Sequence, residues 1–144
     1  NMSLEKVLAI SGKPGLYELK AQTRGGFVAE SLADGKKISV NVRHNVSMLS
    51  EIAMYTYTEE VPLREVFQKI AEKEDGKEAI SHKESKAKLE GYFKEILPEY
   101  DEDRVYASDI KKVFQWYNIL LNAGVTDFSE QEAEEKEETA SEEE

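Results

Sequence analysis

Few residues in this chain have types and spacings that could do chemistry. Lys13 lies in Ser11-Gly12-Lys13-Pro14-Gly15, which invites comparison with a phosphate-binding loop. Such a loop needs a glycine five residues before its Gly-Lys pair and a hydroxyl residue directly after it. Val7 and Pro14 stand there, so the stretch reads as a turn. Asp101, Glu102 and Asp103 suggest calcium. An EF-hand loop begun at Asp101 would need glycine at position 106 and glutamate at position 112. Tyr106 and Lys112 occupy those places, and a solvated loop is the reading. His44 and His82 lack the i, i+4 spacing of a helical metal pair and read as surface or turn residues. No Gly-x-Ser-x-Gly elbow is present. With no cysteine, thiol nucleophiles, zinc-cysteine sites and disulfides are excluded. With 30 acids, carboxylate pairing in space is uninformative. No catalytic residue, metal or cofactor is implied, and the chain reads as non-enzymatic, with an enzyme acting through carboxylates as the outsider.

The bases and aromatics of the first half make a better case. Lys13, Arg24, Lys36, Lys37 and Arg43 fall in turns, with His44 adjacent, and Tyr17, Phe27, Tyr55 and Tyr57 are interspersed. Basic loops around aromatic platforms bind single-stranded nucleic acid. On that reading Arg24, Arg43 and the Lys36-Lys37 pair meet phosphates, and exposed tyrosines meet bases. The same aromatics would serve a peptide groove equally well. Tyr55 and Tyr57 share one side of a strand, while Ile52 and Met54 share the other. One side should be core and the other the partner-binding surface. Residues 1–58 carry seven bases and five acids. That small excess is far from the pI above ~9 of a nucleic-acid-binding domain. A protein partner is therefore the expectation, with RNA or single-stranded DNA as the alternative. Trp116-Tyr117 is a second candidate patch, for which core packing is the plainer reading.

The elements that must position these residues follow from periodicity. Val7–Ile10 is a short apolar strand, and Tyr17–Thr23 alternates with Tyr17, Leu19 and Ala21 on one face. Phe27–Leu32 and Lys36–Val42 follow, joined through Asp34-Gly35, a type I′ hairpin signal. Val46–Leu49 suits a helical turn, and Ile52–Thr58 closes a five-stranded set. Their sum is a small SH3-like β-barrel or a curved antiparallel sheet over residues 3–58. From Pro62 onward the period changes. Leu63, Val66, Phe67, Ile70 and Ala71 form one helical stripe, and Leu89, Tyr92, Phe93, Ile96 and Leu97 form a second. Ile110, Val113, Phe114, Tyr117, Leu120 and Leu121 form a third, widened by Trp116 and Ile119. Pro62 suits a first helical position. Ser81 or Ser85 caps the second helix and Ser108 the third, and Gly124 with Val125 ends it. A three-helix unit thus spans 61–124, and the fold class is α+β.

Charge divides the chain differently. The 144 residues carry a net −11, yet residues 127–144 hold ten acids and one base. That stretch, with Phe128 as its one large apolar group, reads as a disordered acidic tail. No apolar run approaches the ~18 residues of a membrane span, and the opening residues lack a secretory apolar core. A cytoplasmic protein without membrane contact is expected.

The strings Leu4-Glu5-Lys6-Val7-Leu8-Ala9-Ile10-Ser11-Gly12-Lys13-Pro14-Gly15-Leu16-Tyr17, Arg24-Gly25-Gly26-Phe27-Val28, Ser108-Asp109-Ile110-Lys111-Lys112 and Trp116-Tyr117-Asn118 carry a resemblance. Over about residues 3–124 the chain resembles a group of uncharacterised proteins of the Bacteroidota. The resemblance implies a β-rich N-terminal domain of unknown function, a small helical C-terminal domain and a bacterial cytoplasm. It implies no activity and no site residues.

Overall fold

A computed structural model describes residues 4–41 and 43–128. After one 3-10 turn at Leu4–Lys6 come β1 (Val7–Ile10), β2 (Tyr17–Thr23), β3 (Gly26–Ser31), β4 (Lys37–Asn41) and β5 (Val46–Met48). These five strands form one antiparallel sheet in the order β4-β3-β2-β1-β5. Strands β4 and β5 are thus opposite edges, although few residues join them. In a flat sheet four inter-strand spacings would hold those edges about 19 Å apart. The five steps from Asn41 to Val46 reach at most about 17 Å, and a turn with His44 N–H donating to Asn41 O shortens the path. The sheet therefore curls. Its inner face buries Leu8, Ile10, Ala29 and Val40, ringed by Tyr17, Leu19, Phe27, Ile38, Val46 and Met48. Because β4 and β5 do not pair, it is a curved sheet and not a closed barrel.

A bulge at Lys20 sharpens the curl. Leu19 pairs with Ala29 but Ala21 pairs with Val28, so the strand changes phase between them. The expected Tyr17, Leu19, Ala21 face is accordingly broken, and Ala21 is exposed. Lys20 Nζ instead bridges Glu18 at 2.8 Å and Glu30 at 3.6 Å. At the start of β3, a Cβ on Gly26 would lie 1.8 Å from Val40 O, so β3 and β4 approach there as only glycine permits.

Several expected elements fall elsewhere. Val46–Met48 is a strand and not a helical turn, since it bonds to β1 through Ile10↔Val46 and Leu8↔Met48. The 3-10 turn follows it, at Leu49–Glu51. The Ile52–Thr58 stretch does not close the large sheet. Within it β6 (Ala53–Tyr55) pairs only with β7 (Glu60–Pro62), in a separate two-stranded sheet. The Asp34-Gly35 link is not a type I′ turn, because only Gly35 has positive φ. Gly35 N–H donates to Ser31 O, and Asp34 Oδ1 accepts from Lys36 N–H, in a longer loop.

The helices are α1 (Leu63–Lys73), α2 (Lys86–Ile96) and α3 (Ala107–Asn122). Pro62 precedes α1 and does not open it, because it ends β7. Ser85, not Ser81, caps α2, its Oγ accepting from Lys88 N–H. Ser108 is not the cap of α3 but lies in its first turn. Tyr106 takes the cap position, and its N–H donates to the Asp109 carboxylate at 2.9 Å. Gly124, at φ 83°, ends α3 and seats Val125 in the core.

A second, larger buried cluster is shared by both halves. Val7, Leu16 and Leu49 of the β part are buried with Phe67, Phe93, Phe114 and Tyr117 of the helices. Phe128 joins them, its ring centroid 5.4 Å from Phe67 and 6.2 Å from Tyr117. Of the residues read as tail, Phe128 is thus part of the core, and 129–144 lie outside the described residues. No helix among the described residues is long and apolar enough to cross a membrane.

Candidate functional site: an open cleft beside the second sheet

Moving β6 out of the large sheet relocates the candidate surface. Met54 points into the core, while Tyr55 and Tyr57 on the other side of the strand are exposed. With Tyr106 they are the exposed large apolar side chains among the described residues, and Tyr55 and Tyr57 are bonded to the Glu99–Asp101 segment. Tyr57 N–H donates to Glu99 O, and Asp101 N–H to Tyr55 O. Arg104 lies over the Tyr55 ring, 4.4 Å from its centroid, while its Nε donates to Asp101 Oδ2 at 2.8 Å. That bond to Arg104 holds the Asp101 carboxyl below its ordinary range, aided by the Asp103 N–H.

Beside this pair opens a cleft of about 230 Å³. One wall is β6 with Ile52. The other is Asp109, Lys112, Val113 and Trp116 of α3, spaced i, i+3, i+4, i+7 on one stripe. Val105 and Leu63 complete it. The lining is mostly apolar with a few charges at the rim, as in binding clefts generally. Trp116 is half-buried there, whereas Tyr117 is core, its hydroxyl donating to Lys77 O at 3.1 Å. The Trp116-Tyr117 pair therefore divides, one residue to the cleft and the other to the interior.

The basic residues do not join the tyrosines. Arg24 sits in the β2–β3 turn, and Arg43 follows β4 at the same end of the sheet, where Asn41 pairs with Gly26. Lys36 and Lys37 lie at the β3–β4 turn, the opposite end of β3. All four are exposed, but they form two separate ends and not one patch. His44 is a turn residue, its Nδ1 accepting from Asn41 N–H. Burial holds the His82 pKa down, with Lys111 and Lys83 adding to it. Among the described residues no group of three His, Asp or Glu side chains is placed to hold a metal ion.

The sequence assigns Arg104, Val105, Asp109 and Lys112 no place in a binding site. The signal for the α3 wall was there, since Trp116 widens the buried stripe beyond what one core face needs. For Arg104 no signal existed, because its partner Tyr55 is 49 positions away.

Two family models match the chain: a domain of unknown function (DUF5606) over residues 4–49 and a domain of unknown function (DUF6852) over residues 52–120. The chain is similar to a protein from Bacteroides vulgatus with a solution NMR structure, a structural-genomics target. The two are 45% identical over 89% of this chain and 92% of that one, with a TM-score of 0.73. No curated protein matches significantly.

Proposed function

This chain belongs to the family of the Bacteroides vulgatus protein, and we propose that it is a non-catalytic binding module for a protein partner, engaged through the cleft between β6 and α3. One observation carries the proposal. Exposed Tyr55 lines an open, mostly apolar cleft walled by Trp116, and exposed Tyr57 lies two residues along from it, tied to the same Glu99–Asp101 segment. Aromatic residues and arginine, the side chains concentrated here, are those enriched where proteins meet. The interaction is expected in the cytoplasm.

The test is affinity capture from the source cell with the full chain and with a Tyr55→Ala, Trp116→Ala double variant. Proteins held by the unaltered chain and lost by the variant are the expected result. A capture list unchanged by the substitutions would remove the cleft as the site.

A further inference from the structure

We infer that the partner binds as an added β-strand on the open edge of β6, placing an apolar side chain in the cleft and a carboxylate near Lys112. This deepens the protein-binding proposal and rests on it.

The edge is defined by hydrogen-bond parity. Leu63 N–H donates to Ile52 O at 2.9 Å, and Thr56 N–H to Glu59 O at 2.8 Å. Bonded and non-bonded pairs alternate along an antiparallel ladder. Met54↔Val61 is therefore the bonded pair between them, and Ala53 and Tyr55 turn their backbone groups away from β7. Pro62, which has no N–H, stands opposite Ala53, where none is needed.

The chain already covers part of this outer edge. Tyr57 N–H reaches Glu99 O at 3.0 Å, Asp101 N–H reaches Tyr55 O at 2.9 Å, and Thr56 faces Tyr100 as an isolated bridge. Glu99–Asp101 is thus the beginning of a third strand. It stops at Asp101, whose carbonyl accepts from Arg104 and Val105 N–H and turns the chain aside. Past that point Tyr55 N–H and both backbone groups of Ala53 have no partner among the described residues. They open into the cleft that Ala53 and Tyr55 line.

Only an extended backbone offers an N–H and a C=O at the spacing Ala53 presents. A helical ligand bonds its own backbone internally and would leave this edge empty. A strand laid here sends alternate side chains toward Met54, Val105 and Val113. Lys112 makes no ion pair among the described residues, and Asp109 on the same wall is engaged by the Tyr106 N–H, so an acid on the ligand would be the partner of Lys112. The chain's own residues 129–144 are rich in glutamate but hold no large apolar side chain, and they do not fit the cleft.

The test is selection of phage-displayed random decapeptides on the full chain, with binders to Trp116→Ala subtracted. Synthetic versions of the enriched peptides are then titrated into the 15N-labelled chain. Peptides with alternate apolar residues and a nearby acid are expected. They should slow amide exchange at Ala53 and Tyr55, weaken at least tenfold when the facing peptide amide is N-methylated, and lose the acid preference against Lys112→Glu. Peptides that perturb Trp116 while leaving exchange at Ala53 and Tyr55 unchanged and tolerating N-methylation would overturn strand addition but leave the cleft as a binding site. Enrichment of the chain's own acidic sequence would also overturn it. No enrichment over Trp116→Ala would overturn both proposals.

Discussion

Arg104 stacks on Tyr55 and is held there by Asp101, so one guanidinium ties β6 to the loop before α3. Asp101 is a depressed-pKa carboxylate. Its contribution is present above the unfolded carboxylate value of about 4 and is lost as pH falls through the lower folded value. Tyr55 ring resonances in NMR spectra are expected to shift on acidification below about pH 4. In Asp101→Asn that step should vanish. A step that persists in the variant would assign it to another group.

Alkaline pH acts on a different set. Burial raises the pKa of Tyr92, Tyr100 and Tyr117, and at Tyr92 the bond its hydroxyl donates to Glu74 adds to the effect. A raised pKa means that the folded state prefers the protonated phenol. Stability from these groups is full below the unfolded value near pH 10 and declines as pH rises through the folded values. Urea midpoints are expected to fall above about pH 10, with a shallower fall in Tyr92→Phe. An identical slope in that variant would deny Tyr92 a share.

Gly26→Ala should be strongly destabilising, by more than about 2 kcal/mol, because its Cβ would meet Val40 O at 1.8 Å. Gly25→Ala, next to it, has nothing within 4 Å and serves as control. Thermal denaturation of the two variants checks the contrast. Equal midpoints would show that β3 and β4 can separate there without cost.

Phe128→Ala removes a buried ring that packs against both Phe67 and Tyr117. A loss of about 3 kcal/mol is expected by chemical denaturation. A change below about 0.5 kcal/mol would mean that Phe128 is peripheral to the core.

Because Arg24 and Arg43 lie at one end of β3 and Lys36 and Lys37 at the other, mixed single-stranded oligonucleotides are expected not to bind the full chain even at low salt. Fluorescence anisotropy measures this. Binding that weakens steeply with salt would favour the nucleic-acid reading over a protein partner.

Much of the fold was legible because period two and period 3.6 mark buried faces directly. The stripes from Leu63, Leu89 and Ile110 each became a helix on the shared core. The strand pairing was less legible. Val46–Met48 and Ala53–Tyr55 are both three residues long, too short for alternation to show which one closes the large sheet. The bulge at Lys20 was hidden because phase changes leave no mark in composition. For the site, the sequence separates a Tyr55/Tyr57 face from an Ile52/Met54 face but leaves open which is core, and for Trp116-Tyr117 it favours core packing. The convergence of Tyr55 and Trp116 was not legible, since it depends on Arg104 and on a loop that folds back across 40 or more positions.

The buried cluster that unites Leu4 and Val7 with Val125 and Phe128 has an evolutionary corollary. The regions 4–49 and 52–120 match separate family models, yet both contribute side chains to this cluster, Leu16 and Leu49 from the first and Phe67 and Phe114 from the second. Either one exchanged for a distant counterpart would bring a mismatched half of this shared cluster. The two stretches are thus obliged to change together, and pairs such as Leu49 with its neighbours on α1 are where compensating substitutions should accumulate.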